Sequence, residues 1–250
     1  MIKESKTRLH ILDTIRGIAL ISMILFHTAW DLSYIYGIEI LQKLDYFAFI
    51  WQQSICITFI FLSGFCFNLG KRHFLRGVTV FSAGALITAV TYFVMPENII
   101  LFGILTMLGS AMLIFALLRK ILIKFNPLIS FAVSLLLYLL TRDISDGYLG
   151  FYGVKIAPLS ASLYCNGFTA FLGFPERTFF SADYFPLLPW LFLFSAGFFL
   201  FLYLKKKNIA VKSGSNIPVI NFLGRNSLIV YLLHQPIIYG VLFLIFLKQN

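Results

Sequence analysis

Charge is what this sequence has least of. Only 12% of its 250 residues are Asp, Glu, Lys or Arg, about half the share of an ordinary soluble domain. Hydrophobic residues make up 60%, and the mean hydropathy is +0.89. Such a composition excludes a water-exposed globule and predicts a polytopic membrane protein. Cysteine is also scarce. Cys56, Cys66 and Cys165 sit in apolar surroundings with no CxxC or Cys/His ligand spacing, so neither a disulfide framework nor a metal site is expected. Acidic residues number 10 against 20 basic ones, a formal charge of +10. On a soluble chain that excess would suggest nucleic acid; here the basic residues form short clusters between apolar runs, so they report topology and no nucleic acid is expected. The basic start, Lys3, Lys6 and Arg8, leads into an apolar run longer than a signal-peptide core and lacking a small-residue cleavage site, so the first span is expected to persist in the mature chain. No internal repeat, low-complexity tract or soluble domain is visible, and residues 1–250 read as one transmembrane domain.

What is abundant is apolar length. A bilayer crossing needs about 20 such residues, and seven runs qualify, at about 12–36, 47–69, 75–94, 99–118, 126–141, 185–204 and 226–247. The expected fold is therefore all-α, a transmembrane helix bundle of about seven spans. Threading them alternately puts fourteen basic residues on one side, from Lys3, Lys6 and Arg8 through Lys71, Arg72, Arg76, Arg119, Lys120, Lys124, Lys205–Lys207 and Lys212 to Arg225. The other side receives Lys43, Arg142, Lys155, Arg177 and Lys248. This bias predicts a cytoplasmic N-terminus, an external C-terminus and a multi-pass integral position in the membrane. The long external loop, about 142–184, is apolar but broken by Pro158, Gly167, Gly173 and Pro175. It reads as short interfacial or re-entrant helices, forming either a lid or an amphipathic loop on the headgroups.

The first span, "LDTIRGIALISMILFHTAWDL", carries Asp13, Arg16, His27 and Asp31. Arg16 and His27 are eleven residues apart, about three turns and roughly 16 Å, and the two aspartates stand at i−3 and i+4 from them. All four share one helix face, which must turn from lipid toward the bundle or a watery cavity. Asp13 and Arg16 are near the cytoplasmic end and read either as an interfacial ion pair or as part of an anion site. His27 is too deep to snorkel and reads either as a hydrogen-bonded core histidine or as a general base whose ring Asp31 is placed to orient, unless Asp31 is solvated at the outer interface.

The last span, "LGRNSLIVYLLHQPII", repeats the pattern. Ser227, Tyr231 and His234 follow i, i+4, i+7 on one face, and His234 lies at a depth from Arg225 like that of His27 from Arg16, so the two histidines are expected to meet unless this face is polar glue between helices. Gln235 precedes Pro236, whose missing N–H permits a kink beside the site. Ser63 and Gly64 read as packing residues, Gln52 as lining of a polar vestibule, and Asp183 as a residue of the external mouth.

These segments, "LDTIRGIALISMILFH" with "TAWDL", then "FIFLSG", "DYFPLLPW" and "LGRNSLIVYLLHQP", resemble the bacterial branch of the heparan-α-glucosaminide N-acetyltransferase catalytic-domain family. Arg16 with ten residues before His27 is similar, more distantly, to the Arg-X10-His pattern of acyltransferase type 3 membrane proteins. The resemblance runs from about residue 8 to 240, and it implies a place in a bacterial cytoplasmic membrane. It implies transfer of an acyl group, usually acetyl, from cytoplasmic acetyl-CoA to a sugar or glycan hydroxyl or amine on the far side, and it assigns functional roles to Arg16 and His27. One departure stands out: the lysosomal enzyme's catalytic histidine precedes its second span, whereas "LQKLDYFAFIW" here holds none.

The expectation is thus an acyl-CoA-dependent transmembrane acyltransferase with the bilayer, acyl-CoA and a carbohydrate acceptor as partners, and a second copy of the chain left open. Arg8, Arg16, Arg72 and Arg225, with Asp13, would hold the nucleotide phosphates. His27 would deprotonate the acceptor or accept the acyl group itself, with His234 as a second proton-transfer or oxyanion group and Ser227, Tyr231, Gln235, Gln52 and Asp183 in support. The competing readings are a small-molecule transporter, against which the helix count and lack of repeat weigh, and a non-catalytic membrane relative.

Overall fold

A computed structural model describes residues 9–38, 41–42, 44–210 and 217–247. In chain order the elements are α1 (His10–Tyr34), α2 (Asp45–Phe67), α3 (His73–Val94), α4 (Ile104–Leu122), α5 (Pro127–Leu140), β1 (Tyr148–Phe151), β2 (Val154–Pro158), α6 (Gly167–Leu172), α7 (Leu187–Lys206), α8 (Pro218–Arg225) and α9 (Ser227–Phe246). Among the described residues, α1, α2, α3, α4, α7 and α9 are the six helices long and apolar enough to cross a bilayer. The seventh apolar run forms α5, whose 14 residues reach only about 21 Å at the helical rise.

The largest departure from the expected boundaries is at α4, which starts at Ile104 rather than near residue 99. The preceding segment pairs elsewhere: Ala182 N–H donates to the Ile99 carbonyl, Phe185 N–H to the Phe102 carbonyl, and the Ser181 hydroxyl to the Leu101 carbonyl. A backbone committed to those bonds cannot also close helical turns. Two further elements were not expected, the β1–β2 hairpin and the short helix α8.

The chain divides into two compact units, Met1–Phe59 with Ala210–Asn250, and Ile60–Ile209. In the first, α8 lies close against α1. A side-chain carbon at Gly17 would strike the Ile220 backbone, and one at Gly224 would strike the Asp13 carbonyl, so both glycines are there to let the two backbones approach. Leu20, Met23 and Phe26 of α1 pack with Leu41, Ala48 and Ile55, and with Leu223 and Val230 at the edge. In lipid, such packing and interhelical hydrogen bonds hold helices together more than water exclusion does. One such bond runs from Trp51 Nε1–H to Ser22 Oγ, 2.8 Å.

In the second unit α3 packs on α4, and α7 packs on both α5 and α4. Phe67, Phe115, Phe194 and Phe198 form an aromatic core with ring centroids 5.0 to 6.3 Å apart, and Ser134 and Ser195 hydroxyls bond across α5 and α7 at 2.8 Å. Asn126 caps α5 by accepting the Leu128 and Ile129 N–H groups, with Pro127 at the first helical position, where its missing N–H costs nothing. The loop read as short helices contains α6 together with the hairpin, whose turn residues Tyr152 and Gly153 both have positive φ, the conformation a two-residue hairpin turn requires. Asp143 holds that turn by accepting Gly153 N–H at 2.8 Å and Tyr148 O–H at 3.3 Å. The Arg142 guanidinium lies 5.4 Å from the Tyr152 ring centre and 5.1 Å from that of Trp190.

Candidate functional site

The first unit gathers most of the polar residues singled out in the sequence into two groups on α1, α8 and α9. At the end of α1 nearest the chain start, Asp13 is buried and sits between two arginines: Arg16 Nη1 lies 3.6 Å from one carboxylate oxygen and Arg225 Nε 3.5 Å from the other. Arg16 is the i+3 neighbour of Asp13; Arg225 arrives from α8, which Gly224 seats against the Asp13 backbone. Among the described residues two guanidinium groups thus share this carboxylate, and neither spends all five of its N–H donors on it. Arg225 Nη2 and Asn221 Nδ2 each stand 3.5 Å from His10 Nδ1. Both are donors, so this nitrogen is the unprotonated one. Thr14 Oγ1 lies 2.6 Å from Asn221 Oδ1 and 3.0 Å from the His10 carbonyl, two acceptors sharing its one hydrogen.

Three turns further along α1, the His27 ring faces the His234 ring of α9, with centroids 4.9 Å apart. His234 is buried, and its Nδ1 is in hydrogen-bond contact with the Tyr231 carbonyl. A carbonyl only accepts, so Nδ1 carries the proton and Nε2 the lone pair. That Nε2 is buried and has no hydrogen-bond partner among the described residues. The ring is therefore fixed in one tautomer with an unspent base beside His27. His27 itself is half-buried.

Asp31 is fully buried, but its carboxylate does not orient His27 as its i+4 spacing suggested. It accepts the Gln235 side-chain amide through both oxygens, 3.1 and 3.0 Å from Nε2. The carboxylate reaches across to α9 because a buried charge gains more from an amide donor held by both oxygens than from a ring edge on its own helix. Clamped by its nitrogen, the Gln235 amide presents Oε1, which is also buried and has no partner among the described residues. Adjacent residues of α9 thus offer two hydrogen-bond acceptors, His234 Nε2 and Gln235 Oε1, that the described chain does not use.

The remaining candidates lie elsewhere. Ser227 is half-buried in the first turn of α9, and Gln52 is half-buried on α2. Arg72 and Asp183 belong to the second unit. Arg72 is exposed at the start of α3. Asp183 accepts the Ile104 backbone N–H at the start of α4, and burial pushes its carboxyl up to about 6. Arg8 lies outside the described residues. Sequence reading missed His10, Thr14 and Asn221, because α8 reads as part of a connection. The available signal was Pro218 as a helix-starting residue with Asn221, Gly224 and Arg225 at i, i+3 and i+4 after it. Among the described residues no group of three His, Cys, Asp or Glu is placed to hold a metal ion.

The family described as "Heparan-alpha-glucosaminide N-acetyltransferase, catalytic" matches residues 8–236. That range begins before the Arg16 group and ends just after Gln235, so it spans both polar groups. No match was found among curated proteins or solved structures.

Proposed function

Because the chain belongs to the heparan-alpha-glucosaminide N-acetyltransferase catalytic family, a family of acetyltransferases, and is built of membrane-length helices, we propose that it moves an acetyl group from acetyl-CoA to a sugar or glycan hydroxyl or amine across the membrane. The observation that carries this reading is the facing pair His27 and His234, with His234 locked as an Nε2 base.

The donor, when bound, supplies a thioester whose C–S bond is exchanged for a C–O or C–N bond to the acceptor. The Asp13-braced arginines, Arg16 and Arg225, provide donors for its phosphates on the side that the charge bias assigns to the cytoplasm. From there to His27 is eleven residues of unbroken helix, roughly 16 Å, a span an extended pantetheine arm covers. His27, the more accessible of the two rings, takes the proton from the attacking acceptor. His234 Nε2 accepts the N–H of the resulting imidazolium and shares its charge, the service a carboxylate gives in a hydrolase triad. The proton then passes to the departing sulfur. Gln235 Oε1, held by Asp31, accepts a hydrogen bond from the acceptor or from an amide N–H of the donor, fixing its approach.

The test is acetyl transfer by the purified chain, followed as release of free thiol. His27→Ala should lower turnover by at least about a hundredfold, the size expected of a general base, with an unfolding midpoint within a few degrees of the parent. Turnover retained in a folded His27→Ala protein removes the histidine from the reaction.

A further inference from the structure

The second unit holds a separate set of unspent polar atoms, where α2 ends, α3 begins and α4 ends. Both side-chain atoms of Asn68, Nδ1 of His73 and Nε of Arg119 are buried, and none has a hydrogen-bond partner among the described residues. Buried polar atoms are nearly always paired, so three such residues from three segments need a common explanation. They lie together. The Phe67 ring stacks on the His73 ring at 4.5 Å and lies 6.3 Å from that of Phe115, one turn before Arg119. Asn68 follows Phe67 directly, and Arg119 and Arg76 both act electrostatically on the His73 ring. Gly70 leaves room for the Arg76 guanidinium to lie over it.

Charge points to the sign of the occupant. Residues 68–76, 119–126 and 205–209 contain nine Lys and Arg and no Asp or Glu. The carboxylates of this unit, Glu97, Asp143, Asp146, Glu176 and Asp183, all lie in connections at the opposite ends of these helices, so this unit supplies no local counter-charge.

Hydrogen-bond roles point to its chemistry. His73 Nδ1 is buried and unspent, and it serves as donor or acceptor according to the tautomer of the ring. The unspent set is therefore two kinds of donor, the Asn68 amide N–H and Arg119 Nε–H, the acceptor Asn68 Oδ1, and His73 Nδ1, which takes either role. A phosphate fits the donors, and a hydroxyl beside it fits the acceptor. The flanks are apolar and exposed, with Phe74 at 52%, Leu75 at 58% and Leu117 at 71%, on helices that the composition places in lipid.

From these observations we infer that this cluster is a binding site for an anionic phospholipid whose headgroup also donates hydrogen bonds, a phosphatidylglycerol or phosphatidic acid, with its acyl chains along α3 and α4. The site is independent of acetyl transfer, and its test reads no turnover.

Native mass spectrometry of the full chain, titrated with phosphatidylglycerol and separately with phosphatidylcholine, should show one retained phosphatidylglycerol preferred about tenfold or more, the size of one charge-assisted hydrogen bond. Asn68→Leu and Arg119→Gln should each lose that preference. Asn68→Asp serves where the leucine variant does not fold, since it keeps the volume and repels the phosphate. Lys120→Gln removes an exposed charge of the same cluster and should change affinity by no more than about twofold. Equal retention of the two lipids overturns the inference, as does a loss on Lys120→Gln as large as on Arg119→Gln. Displacement of the lipid by adenosine 3′,5′-bisphosphate overturns the lipid assignment in favour of a nucleotide phosphate.

Discussion

Exchanging the partners of the Asp31–Gln235 clamp tests the site more sharply than deleting either. In Asp31→Asn, one of the two oxygens 3.0 and 3.1 Å from Gln235 Nε2 becomes an NH2 group. Oδ1 can still accept from Nε2 but the second bond is lost, and an amide facing an amide has no fixed sense: turned over, Gln235 offers Oε1 to the new NH2 and Nε2 to the site. The acceptor that the site presents becomes a donor. A hydrogen bond to a charged partner contributes about 1.5–3 kcal/mol, so losing one of the pair, about 2 kcal/mol, lowers kcat/KM roughly thirtyfold. Gln235→Glu does comparable damage by setting two carboxylates about 3 Å apart. The double variant Asp31→Asn/Gln235→Glu restores a donor on α1 and an acceptor on α9, leaving the second oxygen of the new carboxylate where Oε1 stood. It should recover to within about tenfold of the parent, a coupling of the order of 2 kcal/mol or more between the two positions. The assay is steady-state thiol release in detergent, with unfolding midpoints taken on all four proteins. If the two single losses multiply in the double variant, to roughly a thousandfold, Asp31 does not act through Gln235 and the clamp has no part in the reaction.

Two further outcomes concern the fold. Asp183 titrates at about 6 in the folded chain because burial outweighs the Ile104 N–H it accepts, against about 3.9 unfolded. Between those values the folded chain binds more protons, so stability falls as pH rises from about 4 to about 6 and the whole cost, of order 2–3 kcal/mol, is present at pH 7. Asp183→Asn keeps an acceptor for Ile104 without the charge, so it should unfold at higher temperature at pH 7 and lose this pH dependence; a variant less stable at pH 7 sinks the argument. Gly224→Val places carbon against the Asp13 carbonyl and should destabilise the α1–α8 contact by about 1–3 kcal/mol, read as a lower unfolding midpoint, whereas an unchanged midpoint would show that the helices do not meet there.

The spans were legible because lipid imposes a length and a composition that a single sequence displays. The stripe from Asp13 to Asp31 was legible for a related reason, since ionisable groups on an apolar helix stand out and 3.6-residue periodicity fixes their face. So was the meeting of His27 with His234, from matched depths. Which acceptor each donor finds was not legible. Asp31 has His27 one turn away on its own helix and Gln235 204 positions away in the chain, and only the packing of α9 decides between them. Helix α8 was hidden by length, because eight residues with polar ones among them look like the tail of a lysine-rich connection. The β1–β2 hairpin was hidden in a stretch whose glycines and prolines serve turns of either a helical or a stranded kind.

The sharing of Asp13 by two arginines has a consequence for how fast and how selectively an anion is received. A long cationic side chain that is loose before binding surrenders up to about 2 kcal/mol of rotamer entropy on capture. Arg16 and Arg225, each already drawn to one oxygen of the same buried carboxylate, have surrendered much of that on folding. In the proposed role as a phosphate site, they would offer the donor a template whose shape is set, and contacts would form without ordering the side chains that make them. Lysine at either place would keep the charge and forfeit the fixed fork, so under the proposed function preorganisation, more than charge, is what this triad would contribute.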